Sequence, residues 1–146
     1  MENDYKSLND FFVNCFYGIL KQEENSLSKY AEGNLSISEI HLIEAISRTK
    51  DNNAATNVSR SLKITPGSLT VAANTLINKG YIIRKKDETD KRISRLYLTE
   101  KGNYINEKHL YFHNEMVKGV IEALDSQENG VLIKALNKIN DFMEKT

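Results

Sequence analysis

The chain has 146 residues, of which 40% are hydrophobic and 27% charged, and its formal net charge is zero. This composition is ordinary for a single folded domain and excludes a disordered chain, and no apolar run approaches the roughly 18–20 residues that a membrane span requires. The single cysteine, Cys15, excludes an internal disulfide, and the acidic N-terminus does not match a secretory signal, so we expect a cytoplasmic protein.

The zero net charge hides a segregation of charge along the chain. Residues 58–101 carry ten basic and four acidic side chains, a local charge of +6, whereas residues 1–57 and 102–146 carry −4 and −2. A basic segment between acidic flanks is typical of a local surface for a polyanion, and it disfavours indiscriminate binding of nucleic acid.

Apolar residues at three- and four-residue spacing predict a first helix over about residues 5–30. Its stripe consists of Leu8, Phe11, Phe12, Cys15, Phe16, Ile19 and Leu20. Two interpretations of this face stay open, namely packing on its own domain and a dimer interface, and they do not exclude each other. Ser36 followed by Glu39 is a capping box that predicts a second, buried helix, and a short helix over about residues 54–62 follows a polar loop.

Thr65 and Pro66 begin the next predicted helix, and Gly80 ends it. Threonine is a good N-cap, proline suits the first helical position because its missing N–H needs no partner there, and glycine is a frequent C-terminal stop. One face of this helix is apolar and should pack inward. The other is small and polar with one valine, so it could approach base edges closely; it consists of Ser68, Thr70, Val71, Asn74, Thr75 and Asn78.

Two short strands, over residues 81–85 and 95–98, are predicted after this helix, with a polar connection over residues 87–94. Together they form a β-hairpin beside the helix. A long helix over about residues 100–124 follows, and the capping pair Asp125 and Glu128 begins a last helix that extends to Met143. The expected fold is therefore mainly α with a small β-hairpin wing: a winged helix-turn-helix with about six helices.

At the hairpin the sequence resembles the MarR family of bacterial winged-helix regulators. The motif is Asp90-x-Arg92-x-x-x-Leu96-x-Leu98-Thr99-x-x-Gly102, preceded by Leu76-x-x-Lys79-Gly80-Tyr81. The resemblance implies a single domain, residues 1–146, in which residues 36–102 bind DNA and residues 1–35 and 103–146 join an obligate homodimer. It also implies a pseudo-palindromic operator, with Arg92 in the minor groove and Asp90 supporting that arginine and the turn.

A narrower resemblance is to the fatty-acid-synthesis repressor branch, FabT. The segments that carry it are Ile37-Ser38-Glu39-x-His41-x-Ile43 and Phe112-His113-x-x-Met116-Val117-Lys118. This branch implies repression of fatty-acid-synthesis genes with acyl-acyl carrier protein as corepressor. Many family members have a basic residue where this chain has Val71, so the base contacts of those members cannot be transferred to this chain. Asn74 and Thr75 therefore become stronger candidates for base contacts.

The polar helix face and the basic residues around it are the candidate DNA contacts. Bases would be read by Thr65, Ser68, Thr70, Val71, Asn74 and Thr75. Phosphates would be held by Arg60, Arg84, Lys85, Lys86, Lys91 and Arg95. Two alternatives stay open: a MarR-type sensor of small aromatic compounds or oxidants that controls efflux or stress genes, and a winged-helix protein-interaction module that does not bind DNA.

Three further residues are candidates for a sensing role. Cys15 lies on the apolar stripe, where cysteine usually behaves as a small hydrophobe, although some relatives sense peroxide with a first-helix cysteine. His109 and His113 are four residues apart, as metal ligands on a helix are, but only His41 could join them, so hydrogen-bonding histidines are favoured.

We expect no metal and no cofactor. The sequence has no Gly-rich phosphate loop or nucleophile elbow, so we expect no enzyme.

Overall fold

The computed structural model describes all residues, Met1–Thr146. The elements in chain order are α1 (Glu2–Asp10), α2 (Phe16–Ser28), α3 (Ile37–Arg48), α4 (Ala55–Ser61), α5 (Pro66–Asn78), β1 (Ile82–Lys86), β2 (Ser94–Leu98), α6 (Glu100–Ala123) and α7 (Ser126–Glu144). A π-helical turn, Phe11–Cys15, joins α1 to α2 where the sequence predicted one regular helix. The predicted fold class, a winged helix-turn-helix, is confirmed. None of the helices combines the length and apolar character needed to cross a membrane.

The chain divides into two compact units, Met1–Leu110 and Tyr111–Thr146. The first unit contains the hydrophobic core. Its fully buried side chains come from the end of α2, from α3, α4, α5, the hairpin and the start of α6, and include Leu27, Ile43, Val58, Leu76, Leu96 and Ile105. Burying this apolar surface is the main force that holds these elements together.

The predicted helix signals are present as hydrogen bonds. Ser36 Oγ accepts from Glu39 N at 3.3 Å, and Glu39 Oε2 accepts from Ser36 N at 2.9 Å, which closes the capping box of α3. Thr65 Oγ1 accepts from Ser68 N at 3.1 Å at the start of α5. At the other end Gly80 has φ +83°, a left-handed conformation that favours glycine and turns the chain into the hairpin.

The hairpin is an antiparallel pair in which Ile82 faces Leu98 and Lys86 faces Ser94. Its outer edge is also paired, because Ala54 forms an isolated bridge with Arg95 and Leu96 N donates to Asn53 O at 3.1 Å. The segment before α4 thus pairs with β2 through an isolated bridge. This contact fixes the wing relative to the helix-turn-helix.

A glycine and a threonine join the wing to α6. Thr99 Oγ1 donates to Gly80 O at 2.7 Å and accepts from Gly102 N at 3.2 Å. A Cβ added at Gly102 would lie 2.2 Å from Tyr81 O, a distance that real side chains do not reach. The Thr99-x-x-Gly102 part of the sequence motif therefore allows α6 to begin in close contact with the backbone of Tyr81.

Each unit also exposes apolar surface. In the first unit Phe11, Phe12 and Phe16 are 52%, 39% and 60% exposed, and Cys15 is half-buried. The interpretation that the aromatic stripe packs on its own domain is therefore wrong for a single chain. In the second unit α7 has no buried residue, and its exposed apolar side chains include Val131, Ile133, Leu136, Phe142 and Met143.

Candidate nucleic-acid interface

The outer face of α5 is small, polar and open. Ser68, Thr70, Val71 and Asn74 are exposed, and Val71 is 69% exposed. The opposite face, with Leu69, Ala73 and Leu76, is buried in the core. No long charged side chain stands on the outer face, so a partner surface can come close to the helix backbone.

The hydroxyl groups on this face are oriented by the helix itself. Thr70 Oγ1 donates to Pro66 O at 2.9 Å, and Thr75 Oγ1 donates to Val71 O at 3.2 Å. A threonine hydroxyl has one donor and two acceptor sites, so each oxygen remains able to accept from a partner. At the start of α5, Thr65 Oγ1 donates to Ser68 Oγ at 2.9 Å, which ties the first two predicted contact residues together.

Asn74 is linked to the wing, a contact that the sequence pattern did not reveal. Arg84 Nη1 on β1 donates to Asn74 Oδ1 at 2.9 Å. The amide oxygen of Asn74 is thereby engaged, and the NH₂ group of this exposed residue is a donor. The helix face and the first wing strand are thus joined into one surface by a side-chain contact.

The wing tip is built around two aspartates. Asp87 Oδ2 accepts from Thr89 N at 3.1 Å, from Thr89 Oγ1 at 2.8 Å and from Asp90 N at 2.9 Å, which closes the turn. Asp90 Oδ1 accepts from both the backbone N and Nε of Arg92 at 3.0 Å, and Oδ2 accepts from Nη2 at 2.9 Å. These hydrogen bonds from Arg92 lower the pKa of Asp90, and the same pair raises the pKa of Arg92.

Arg92 nevertheless remains on the outside of the protein. Its side chain is 91% exposed, and that of Asp90 is 36% exposed. A bidentate pair holds a guanidinium in one orientation without burying it. The wing therefore presents a pre-oriented cation at its tip.

Arg95 differs from the other predicted phosphate contacts because it is mostly covered. Its Nε donates to Asp87 Oδ1 at 2.6 Å and its Nη1 donates to Asn53 Oδ1 at 3.1 Å, and its side chain is 26% exposed. The hydrogen bond from Arg95 is the largest cause that holds the pKa of Asp87 far below its ordinary value, with those from Asp90 N and Thr89 adding to it. Its guanidinium thus supports the wing from within, which is not the role expected from the sequence.

Asn53 and Asp87 are the residues that sequence reasoning missed. Asn53 is buried, and its Nδ2 donates to Leu96 O at 2.7 Å, across 43 positions of the chain. The sequence around a polar loop residue such as Asn53 does not indicate a contact with a residue so far along the chain. Asp87 was recognised only as part of a charged turn, although its four acceptor contacts organise the tip.

The remaining cations divide into free and engaged groups. Arg60, Lys85, Lys86 and Lys91 are exposed; Arg60 donates to Asn57 Oδ1 at 3.3 Å on its own helix, and Lys85 Nζ lies 5.8 Å from the centre of the Tyr97 ring. Lys79 is different, because its Nζ lies 2.9 Å from Glu39 Oε2. Part of the local charge of +6 is thus neutralised within the fold, and the exposed cations lie on α4, β1 and the wing.

A family model described as transcriptional regulator SarA/Rot matches residues 24–109, a range that contains the helix-turn-helix and the wing. The HTH-type transcriptional regulator YwhA of Bacillus subtilis (strain 168) is 23% identical over 83 residues. That match covers 57% of this chain and 60% of YwhA, so this chain spans less than two thirds of that relative.

Solved structures match over nearly the whole chain. Streptococcus pneumoniae FabT in complex with DNA has a TM-score of 0.88 and is 32% identical, with 97% of this chain and 98% of that chain covered. A MarR transcriptional regulator from Methanosarcina mazei Go1 has a TM-score of 0.65 at 20% identity, with 93% of this chain and 98% of that chain covered, and it supports the fold alone.

Proposed function

The chain belongs to the MarR family of winged helix-turn-helix transcriptional regulators, and on this premise we propose that it is a homodimeric repressor that binds a pseudo-palindromic DNA operator. One observation carries the proposal. The open polar face of α5 and the exposed cations of the wing form a continuous surface, joined by the contact between Arg84 and Asn74. An α-helix of this shape fits the major groove, and cations beside it fit the phosphate backbone.

In this proposal α5 reads bases in the major groove. The NH₂ group of Asn74 and the hydroxyl groups of Thr70 and Thr75 face base edges, and the exposed side chain of Val71 contacts a thymine methyl group. Thr65 and Ser68 act at the start of the helix, where backbone N–H groups favour a phosphate or a base acceptor. Because these contacts are neutral, they provide selectivity and little attraction at long range.

The attraction comes from the cations around the helix. Arg60, Arg84, Lys85, Lys86 and Lys91 contact phosphates, and Arg92 enters the minor groove at the wing tip in the orientation that Asp90 gives it. We assign Arg95 a different role, support of the wing through Asp87 and Asn53. Asp90 likewise supports the wing and does not contact DNA.

Two copies are needed because a single interface is small and only modestly charged. The exposed aromatic side chains of the first helix and the exposed apolar face of α7 are surfaces that a second copy would cover, and they support dimerisation through residues 1–35 and 103–146. A two-fold dimer presents two copies of α5 to half-sites one helical turn apart, about 34–36 Å. Such a protein acts in the cytoplasm, where the chromosome is.

The regulated genes are those of fatty-acid synthesis, and acyl-acyl carrier protein is the corepressor. FabT supports this finer assignment, because it is similar to this chain over its full length and at 32% identity. A corepressor of this kind increases the affinity of the dimer for the operator.

Selection of bound fragments from sheared genomic DNA tests the proposal. The recovered sequence should be a pseudo-palindrome near fatty-acid-synthesis genes, and fluorescence anisotropy should give saturable binding that weakens with salt. Addition of acyl-acyl carrier protein should tighten binding, with unacylated carrier protein as the control. Operators near efflux or stress genes, or release by a phenolic compound, would contradict the fatty-acid assignment. No enrichment of any DNA would overturn DNA binding itself.

A further inference from the structure

The contact between Arg84 and Asn74 places a cation beside a carboxamide on the outer face of α5. Arg84 Nη1 on β1 donates to Asn74 Oδ1 at 2.9 Å, across ten positions of the chain, and both residues are exposed. Neither side chain is needed to fill the core. The contact is therefore a feature of the surface, at the place where the helix and the wing meet.

This contact fixes which end of the Asn74 amide is free. A guanidinium group has N–H donors and no acceptor, so the atom that faces Arg84 is the amide oxygen and not the NH₂ group. The terminal torsion of an asparagine side chain is broad, so without a partner the amide can turn over and offer either end. Arg84 holds the oxygen, and the NH₂ donors of Asn74 remain for a ligand.

The charge of Arg84 also acts on this position. Arg92 and Arg95 each pair with an aspartate of the wing tip, whereas Arg84 contacts a neutral amide. Helix α5 contains no charged residue, so a full positive charge reaches its outer face through this contact. A cation at hydrogen-bond distance from the Asn74 amide attracts acceptor groups of a nearby base edge and repels donor groups.

The base edges of the major groove differ in their response to such a pair. Guanine presents two acceptors, O6 and N7, whereas adenine presents the acceptor N7 beside the N6 amino donor, and cytosine presents an amino donor. Asparagine commonly reads adenine, because its oxygen accepts from N6 while its NH₂ group donates to N7. In this protein the oxygen of Asn74 is engaged, and the N6 amino group of adenine would meet a cation.

We propose that Arg84 and Asn74 act as one donor pair that selects guanine in each half-site of the operator, with Arg84 as the residue that determines the preference. This assignment rests on the proposed function. Arg84 keeps its other N–H donors for a phosphate, so its two roles are compatible. They differ in their effect on binding, because a phosphate contact strengthens binding to all sequences alike and a base contact does not.

Nuclear magnetic resonance of the free protein tests the contact without DNA. The side-chain NH₂ resonances of Asn74 should shift in Arg84→Ala, because the amide loses its cationic partner. Lys86→Ala is the matched control, since Lys86 is exposed and lies two residues further along the same face of β1. We expect those resonances to be nearly unchanged in Lys86→Ala. Resonances that stay the same in Arg84→Ala would overturn the contact.

Selection of bound sequences by the parent and by Asn74→Ala locates the base that Asn74 reads. One position in each half-site should lose its preference in Asn74→Ala, and the parent should select guanine there. Adenine at that position, or an unaltered preference at every position, would overturn the assignment alone. Failure of the parent to select any DNA would instead overturn the proposed function, and the assignment with it.

Two operators that carry guanine or adenine at that position then test Arg84 by fluorescence anisotropy. The parent should prefer guanine at least about tenfold, and Arg84→Ala should reduce this ratio to less than about threefold or reverse it. Lys86→Ala should weaken binding to both operators and keep the ratio. The double variant Arg84→Ala with Asn74→Ala should show the ratio of Asn74→Ala. Equal weakening for both operators in Arg84→Ala would make Arg84 a phosphate contact only and refute the proposal; circular dichroism checks that each variant folds.

Discussion

The contact between α6 and the backbone of Tyr81 makes a strong prediction for Gly102→Ala. The added Cβ would lie 2.2 Å from Tyr81 O, whereas ordinary contact begins at 3.4 Å, so the two must separate by about 1.2 Å. The obstacle is backbone, which cannot rotate away, and the movement strains the hydrogen bonds of Thr99 to Gly80 and Tyr81. Overpacking of this kind costs about 1–3 kcal/mol, and each weakened hydrogen bond adds about 0.5–1.5 kcal/mol.

The gain in helix propensity from glycine to alanine, up to about 1 kcal/mol, offsets part of this cost. We therefore expect Gly102→Ala to lower the free energy of unfolding by about 2 kcal/mol and the Tm by about 4–8 °C. Urea denaturation and thermal melts at one fixed protein concentration measure both. Gly119→Ala, in the same helix with no heavy atom within 4 Å of the new Cβ, is the control and should be neutral or stabilising. A Gly102→Ala protein as stable as Gly119→Ala would refute the packing argument.

Three more predictions concern the surface and the wing. Arg92→Ala should weaken operator binding about tenfold without changing the Tm, as measured by anisotropy and melting, and unchanged affinity would remove the wing from the interface. Phe12→Glu with Phe16→Glu should shift the mass measured by light scattering from dimer to monomer, and a persistent dimer would exclude this face from dimerisation. Hydrogen bonds hold the pKa of Asp87 below its ordinary value of 3.8, so the free energy of unfolding of the parent should exceed that of Asp87→Asn above pH 3.8. This difference in stability should disappear as the pH falls further below 3.8. A difference in stability that does not depend on pH would contradict the ionised pairing of Asp87 with Arg95.

Local signals predicted most of the fold. The caps at Ser36, Thr65 and Asp125 each act within three residues of the chain, and the structure contains all three. Gly80 acts in the same way, because its left-handed φ ends α5 without any distant partner. Such features can be read from one stretch of sequence, since their physical cause lies in that stretch.

Contacts between distant positions could not be predicted in this way. Asn53 holds Arg95 across 42 positions and Glu23 meets His109 across 86, and neither polar residue stands out in a pattern of apolar spacing. The pairing of Arg95 could not be predicted for this reason, because a basic residue on a predicted strand looks the same whether its guanidinium is free or paired. The aromatic stripe was ambiguous for a related reason, since the spacing of Phe12 and Phe16 indicates a buried face but not the surface that buries it.

We propose that two copies of the α5 and wing surface bind one palindrome. The most direct measurement is the affinity of the protein for its selected operator over a series of salt concentrations, with the stoichiometry fixed by titration at high concentration. Five phosphate-contacting cations per chain give ten per dimer, so the logarithm of the binding constant should fall with the logarithm of the salt concentration with a slope of up to about −9. Two chains per palindrome and a steep negative slope are the predicted result. Binding of one chain, or an affinity that does not depend on salt, would contradict the account.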